Sequence, residues 1–280
     1  MLARSRQEAI LDAVRRHGSV RVSDLVEQLG VSDMTVRRDI GELSRRGLVD
    51  RVHGGAARPS SSTEPGFAAK SALRTAQKRA IGALAASLVE PGASVALSAG
   101  TTTVEVARHL RDVPGLTVVT NSPPAAELLH DPARADRTVL LTGGVRTPSD
   151  ALVGPVAVRS LQDLHVDHLF LGVHGLDPRA GLTTPNLVEG ETGRALVAAA
   201  ASVVVVADST KWGVVGLTTI AALEEVDVLV SDEGLPGAAR RELAERTGRL
   251  LLAQVPAGGA PHPQDGPHPR DDPKQQEDDA

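Results

Sequence analysis

The sequence predicts an α/β protein in two unequal parts: a small helical module closed by a β-ribbon, then a larger, Rossmann-like, mostly parallel sheet. Three observations predict it. Three short helical patterns and one alternating strand fill residues 1–57. Residues 76–255 then alternate short β-branched runs with helical patterns, the order that builds parallel sheets. The stretches between and after them, 58–75 and 256–280, hold Ser, Pro, Gly and charge and read as a linker and a disordered acidic tail.

In the first module Ile10, Leu11 and Val14 give one helix its apolar stripe. Val22, Leu25, Val26 and Leu29 repeat at i, i+3, i+4 and i+7, so a second short helix ends at Gly30. Ser32 is a natural N-cap for a third, over 32–46, with Val36, Ile40 and Leu43 facing inward. Thr35 and Arg38 are then expected on the opposite side and Arg37 on the flank. Residues 48–55 alternate as a strand and end in Gly54-Gly55, a candidate wing carrying Arg51 and His53. Helix, glycine turn, capped helix and basic ribbon in that order make a winged helix-turn-helix, which places a helix in the major groove of double-stranded DNA. The candidate DNA contacts are Ser32, Asp33, Met34, Thr35, Arg37, Arg38, Arg51 and His53. Short polar side chains in a first turn reach base edges, and arginines reach guanine or phosphate.

Net charge is −5, which looks unfavourable for a DNA binder until it is divided. Up to Arg58 there are 11 arginines and 8 carboxylates, a local excess of three positive charges, and phosphate attraction acts locally. Cysteine is absent, which excludes disulfides, zinc fingers and thiol catalysis. No apolar run reaches the roughly 18–20 residues that span a bilayer, and the N-terminus lacks a signal-peptide core. The expectation is a cytoplasmic protein without membrane contact, metal site or cofactor.

The larger part shows six strands, near 95–98, 116–120, 138–142, 168–171, 202–207 and 226–230. Polar residues gather where several of them end: Gly100, Thr101, Thr102 and Thr103; Asn121 and Ser122; Gly143 and Gly144; Asp208 and Lys211. In open α/β sheets ligands bind beyond the carboxyl ends of the strands. A glycine and hydroxyls at a strand-to-helix turn offer N–H groups to an anion, although no Gly-Lys-Ser/Thr follows to make a Walker loop. Trp212 is expected to be packing beside that pocket.

Residues 31–39 (Val-Ser-Asp-Met-Thr-Val-Arg-Arg-Asp), Leu43, Gly47-Leu48 and 51–56 (Arg-Val-His-Gly-Gly-Ala) resemble the N-terminal domain of DeoR-family transcriptional repressors. Gly100-Thr-Thr, Thr120-Asn-Ser122, Gly143-Gly144, Gly154, residues 167–175, residues 189–196 and Asp208-Ser-Thr-Lys211 resemble that family's sensor domain, itself similar in fold to ribose-5-phosphate isomerase. The resemblance implies an operator-binding homo-oligomer released by a phosphorylated sugar or related metabolite, with residues 100–103 holding phosphate and Lys211 adding charge. Two positions depart from the family pattern: Ser98 stands where most members carry Asp, and Gly193 where they usually carry Lys.

An alternative from another class is a sugar-phosphate isomerase carrying a DNA-binding domain. Isomerisation needs a base and acids around an enediolate. The loop after the fourth strand reads Leu-Gly-Val-His-Gly over 171–175, so His174 has no carboxylate beside it there, and no catalytic residue is expected.

Overall fold

The structure, a computed structural model, describes residues 2–45, 48–52, 54–57 and 66–256. His53, residues 58–65 of the expected linker and residues 257–280 of the expected tail lie outside the described residues.

The N-terminal module consists of α1 (Ala3–His17), β1 (Ser19–Arg21), α2 (Val22–Leu29), α3 (Asp33–Arg45), β2 (Asp50–Val52) and β3 (Gly55–Ala57). Helix α2 ends at Gly30 in the left-handed conformation (φ 63°), whose N–H returns to the Val26 carbonyl at 3.0 Å. Ile10, Val14, Leu25, Val36, Ile40 and Leu43 form one buried cluster, as the helical spacing required. The ribbon has three strands where the sequence shows one over 48–55: β3 lies between β1 and β2, and both pairings are antiparallel. Three residues of β1 carry too little alternation to be seen in the sequence. The two wing glycines do different work. Gly54 takes the left-handed turn at φ 78°, whereas a Cβ on Gly55 would lie 2.0 Å from the Val20 carbonyl oxygen of β1.

The expected linker is partly built. Helix α4 (Phe67–Ser71) lies inside it, Leu73 joins the core of the N-terminal module, and the Phe67 N–H donates to the Pro148 carbonyl of the larger unit at 3.2 Å. Two isolated apolar residues in a polar stretch gave no periodicity from which to read this.

The larger unit is a seven-stranded parallel sheet in the order β15-β14-β12-β9-β4-β5-β6. In chain order these are β4 (Ser94–Leu97), β5 (Thr117–Thr120), β6 (Thr138–Leu141), β9 (Val166–Gly172), β12 (Ala200–Val206), β14 (Val228–Asp232) and β15 (Arg249–Ala253). Strand β15 was not legible: its short apolar run follows helix α10 (Gly237–Arg246) almost directly and reads equally as helix. Alternate strand residues serve two cores. Leu97, Phe170, Val204, Val206 and Val230 pack with helices α5 (Thr75–Ala86), α6 (Thr101–Leu110) and α7 (Pro123–Leu129). Leu169, Leu171, Val203, Val205 and Leu229 pack on the other face with α8 (Pro155–Leu161), α9 (Leu187–Ala198) and α10. A hairpin, β7 (Val145–Arg146) with β8 (Leu152–Val153), follows β6. A small antiparallel sheet of β10 (Gly175–Asp177), β11 (Gly181–Thr184) and β13 (Thr218–Ala221) continues from β9.

Candidate DNA-binding face and ligand pocket

Helix α3 is capped as the sequence required: the Thr35 N–H reaches Ser32 Oγ at 3.3 Å, and the two hydroxyls share a hydrogen bond of 2.9 Å. Thr35 is therefore half-buried on the flank, and the centre of the outer face belongs to Met34, which is 78% exposed. Met34, Arg38, Gly41 and Arg45 follow at i, i+4, i+7 and i+11, diametrically opposite Val36, Ile40 and Leu43. Every acid of α3 is engaged by an arginine. Asp33 pairs with Arg37 at 2.5 Å, Glu42 with Arg45 at 2.5 Å, and buried Asp39 with Arg6 of α1 at 2.8 Å. Arg38 has no ion pair among the described residues, so its charge is presented outward. Arg51 is exposed on β2 at the wing, whose Gly54 carbonyl accepts the first N–H of α2 at 2.8 Å.

The second site lies where the chain reverses its march across the sheet. From β4 the chain moves outward to β5 and β6, then resumes on the other side at β9, so the crevice between β4 and β9 is the topological switch point. There Ser98 Oγ accepts the Gly172 N–H at 2.9 Å and joins the two strand ends. Helix α6 begins at once, and its first intrahelical N–H is that of Val104, bonded to the Gly100 carbonyl. The N–H groups of Thr101, Thr102 and Thr103 precede it and point out of the helix start.

The expected pocket residues separate into two kinds. Thr103 is fully buried, its hydroxyl donating to the Gly100 carbonyl at 2.8 Å. Asn121 Oδ1 accepts the Ala99 N–H at 2.7 Å while its Nδ2 donates to the Leu152 carbonyl at 3.0 Å. Ser122 caps α7. Gly143 turns left-handed at φ 72°, and a Cβ on Gly144 would lie 2.5 Å from the Val153 carbonyl oxygen. These residues shape the loops. Gly100, Thr101, Thr102, Asp208 and Lys211 stand at the helix start and strand ends themselves. Trp212 packs against the core beside β10.

Three side chains escaped the sequence reading. Lys78, one turn into α5, is 5% exposed, its ammonium donating to the Lys70 carbonyl at 2.5 Å. Burial pulls it down to about 8, Lys211 and Lys70 act in the same direction, and Asp208 and Glu105 oppose. Arg74, just before α5, sits at φ 54° and grips Asp12 of α1 at 2.6 and 2.8 Å while lying in the field of Asp208. Glu189 of α9 accepts hydroxyl bonds from Thr147 at 2.7 Å, from Ser149, and from Thr184 at 3.4 Å, which ties the β7–β8 loop down. Lys78 and Arg74 fall in no recognisable motif and only tertiary neighbours mark them; Glu189 opens the 189–196 stretch, but its hydroxyl partners are visible only in the fold. Of the two departures, Gly193 has a local reason: a Cβ there would lie 3.0 Å from Ile220 Cγ2, and one on neighbouring Gly190 would lie 2.6 Å from Thr218 Cγ2. Strand β13 lies directly on that face of α9.

A winged helix-turn-helix joined to a parallel α/β unit with polar loops at its switch point defines a DNA-binding protein of two parts. The sequence matches the DeoR-like helix-turn-helix domain over residues 6–62 and the DeoR C-terminal sensor domain over residues 73–233. The transcriptional regulator YgbI of Escherichia coli K12 is 38% identical over 256 residues, 91% of this chain and 99% of its own. A putative aga operon transcriptional repressor of Escherichia coli O157:H7 is 38% identical, covering 82% of this chain and 87% of its own. The regulator GlpR of Haloferax volcanii is 39% identical, covering 87% and 95%. The chain belongs to the DeoR family and is a DNA-binding transcriptional regulator, not an isomerase. A solved D-ribose-5-phosphate isomerase with phospho-erythronic acid overlaps at a TM-score of 0.35 and 16% identity, over 48% of this chain and 52% of that one; at that score the likeness carries no argument. Among the described residues no helix is long and apolar enough to cross a membrane, and no cluster of side chains could hold a metal.

Proposed function

We propose that the protein is a cytoplasmic repressor of carbohydrate-metabolism genes, released from its operator by a phosphorylated sugar or a metabolite derived from one. Residues 1–57 are the output and 76–255 the input, with 58–75 between them. The observation that carries the reading is the pairing of an open helix start at Gly100, Thr101 and Thr102 with the Lys78–Asp208–Lys211 group at the same end of the sheet. A helix N-terminus and two ammonium groups favour a phosphate, and Asp208 supplies an acceptor for sugar hydroxyls. Asn121, Ser122, Gly143 and Gly144 hold the surrounding loops. The repressor sense is that of the aga operon relative's name, carried over to this chain.

Thermal-shift screening of sugar phosphates tests the proposal, because a ligand bound only by the native state raises the melting temperature by mass action. A hit should release the protein from DNA, and Thr101→Ala with Thr102→Ala should abolish both the shift and the release while sparing DNA binding. A hit whose affinity is indifferent to that double substitution would place the anion elsewhere.

A further inference from the structure

We propose that Gly41 is the notch of the recognition helix, the point at which a sugar-phosphate strand of the operator crosses α3 in direct contact with its backbone. The inference rests on α3 being the helix that enters the DNA. Glycine inside a helix is costly because it gives up the most backbone freedom and packs nothing. Gly237 stands at the first position of α10, but Gly82 of α5 and Gly190 and Gly193 of α9 lie inside helices as Gly41 does, and each has a visible reason. A Cβ on them would meet the Glu105 backbone at 2.7 Å, Thr218 at 2.6 Å and Ile220 at 3.0 Å. A Cβ on Gly41 would meet nothing within 4 Å. No described residue occupies the space a Cβ would take, so the backbone at Gly41 is open to a partner.

Its position says what lies outside. Gly41 shares the outer stripe of α3 with Met34, Arg38 and Arg45. Arginines three residues before and four after bracket the bare backbone, and no acid intrudes, since Asp33, Asp39 and Glu42 are each held by an arginine. A helix backbone has a Cα radius of about 2.3 Å, against about 5–6 Å with side chains. At a glycine a partner therefore approaches a few ångströms closer. A polyanionic strand fits a notch flanked by Arg38, unpaired among the described residues, and by Arg45, whose exposed pair with Glu42 is a weak one; an apolar partner does not. Met34 and Arg38, nearer the helix start, then point past the strand to the base edges.

The test is Gly41→Ala in the full chain, measured against the duplex that the unmodified protein enriches from a randomised library. Alanine is the better helix former, so amide exchange across α3 should slow several-fold while DNA affinity falls at least tenfold. The loss should be the same for every base-pair variant of the half-site, because backbone contacts carry no sequence information. The slope of log affinity against log salt should stay unchanged, because no charge is removed. Gly41→Leu should lose more than Gly41→Ala. Arg38→Ala supplies the second arm, with reduced affinity and a shallower salt slope or a changed base preference. DNA affinity of Gly41→Ala equal to or above that of the unmodified protein would overturn the notch. So would a loss confined to one base pair, which would mean a base-edge contact, or a less protected α3, which would mean that the glycine serves the fold. If Arg38→Ala bound as tightly as well, α3 itself would not be the recognition helix.

Discussion

Lys78 carries the sharpest single-residue consequence. Its ammonium loses its proton near pH 8 in the folded protein and near 10.5 in the unfolded chain. Between those values the unfolded state binds more protons, so this group's contribution to the free energy of unfolding rises with pH. An anionic effector favours the charged form. Its affinity should be flat below about pH 8 and fall above it by up to tenfold per pH unit, a window in which phosphate monoesters are already dianionic. Titration calorimetry from pH 7 to 9.5 measures this, and Lys78→Met should flatten the profile at the lower affinity. An unchanged slope in that variant would remove Lys78 from the pocket. On the DNA side, Arg37 is exposed and already engaged by Asp33, and exposed pairs contribute little to stability. Arg38→Ala should therefore cost DNA affinity about ten- to a hundredfold, the range of one good base contact, and Arg37→Ala clearly less. Filter binding at matched salt ranks the two.

At the scale of elements, the joint between α4 and α5 connects the two sites. Leu73 is buried in the DNA-binding module, Arg74 grips Asp12 of α1, Arg4 of α1 reaches Thr75 at 2.9 Å, and Lys78 follows one turn later beside Asp208. The left-handed backbone of Arg74 is uncommon for a residue other than glycine and persists only where its surroundings enforce it. An effector whose phosphate draws Lys78 away from Asp208 pulls on the first turn of α5 and so on α1. Asp12→Asn should leave effector binding and operator binding within a few-fold of normal while lowering the ratio between operator affinities with and without effector. Allosteric couplings typically amount to 5–150-fold, and the ratio should fall toward one. A competition titration of labelled duplex reads it, and an undiminished ratio would exclude the joint as the link. Elsewhere, α9 received β13 against Gly190 and Gly193. Gly193→Lys should accordingly destabilise the larger unit by driving Ile220 off its seat, which thermal melting would register.

For the whole molecule, one helix-turn-helix reads one half-site, and affinity and spacing specificity come from pairing two of them. We expect a homo-oligomer whose affinity for a paired operator exceeds that for a single half-site by at least a hundredfold. Inserting half a helical turn between the half-sites should abolish the gain. Sedimentation with and without duplex, and gel shifts on the spaced duplexes, check both. Equal affinity for single and paired sites would mean a monomeric reader.

By itself the sequence determined the order of the main elements. Apolar spacing placed α2 and the core face of α3, β-branched runs placed six of the seven parallel strands, and Ser32 and Gly30 marked helix ends, because caps and periodicity are local properties. It also marked the end of the sheet at which polar residues gather, since strand-terminal Gly, Thr, Asp and Lys are visible in one dimension. Tertiary structure alone decided which of those residues are tied into the loops and which charged groups gather beside one another. Asn121 spends both its amide groups on the backbone, whereas Lys78, in no motif, is folded back beside Asp208. It decided too that Met34 rather than Thr35 centres the DNA face, because a shared hydrogen bond turns Thr35 toward its cap. A residue's partners across space depend on packing between distant segments. Composition and spacing do not carry that information, and in this protein it separates side chains spent on the backbone, such as Asn121, from the charged group of Lys78, Asp208 and Lys211.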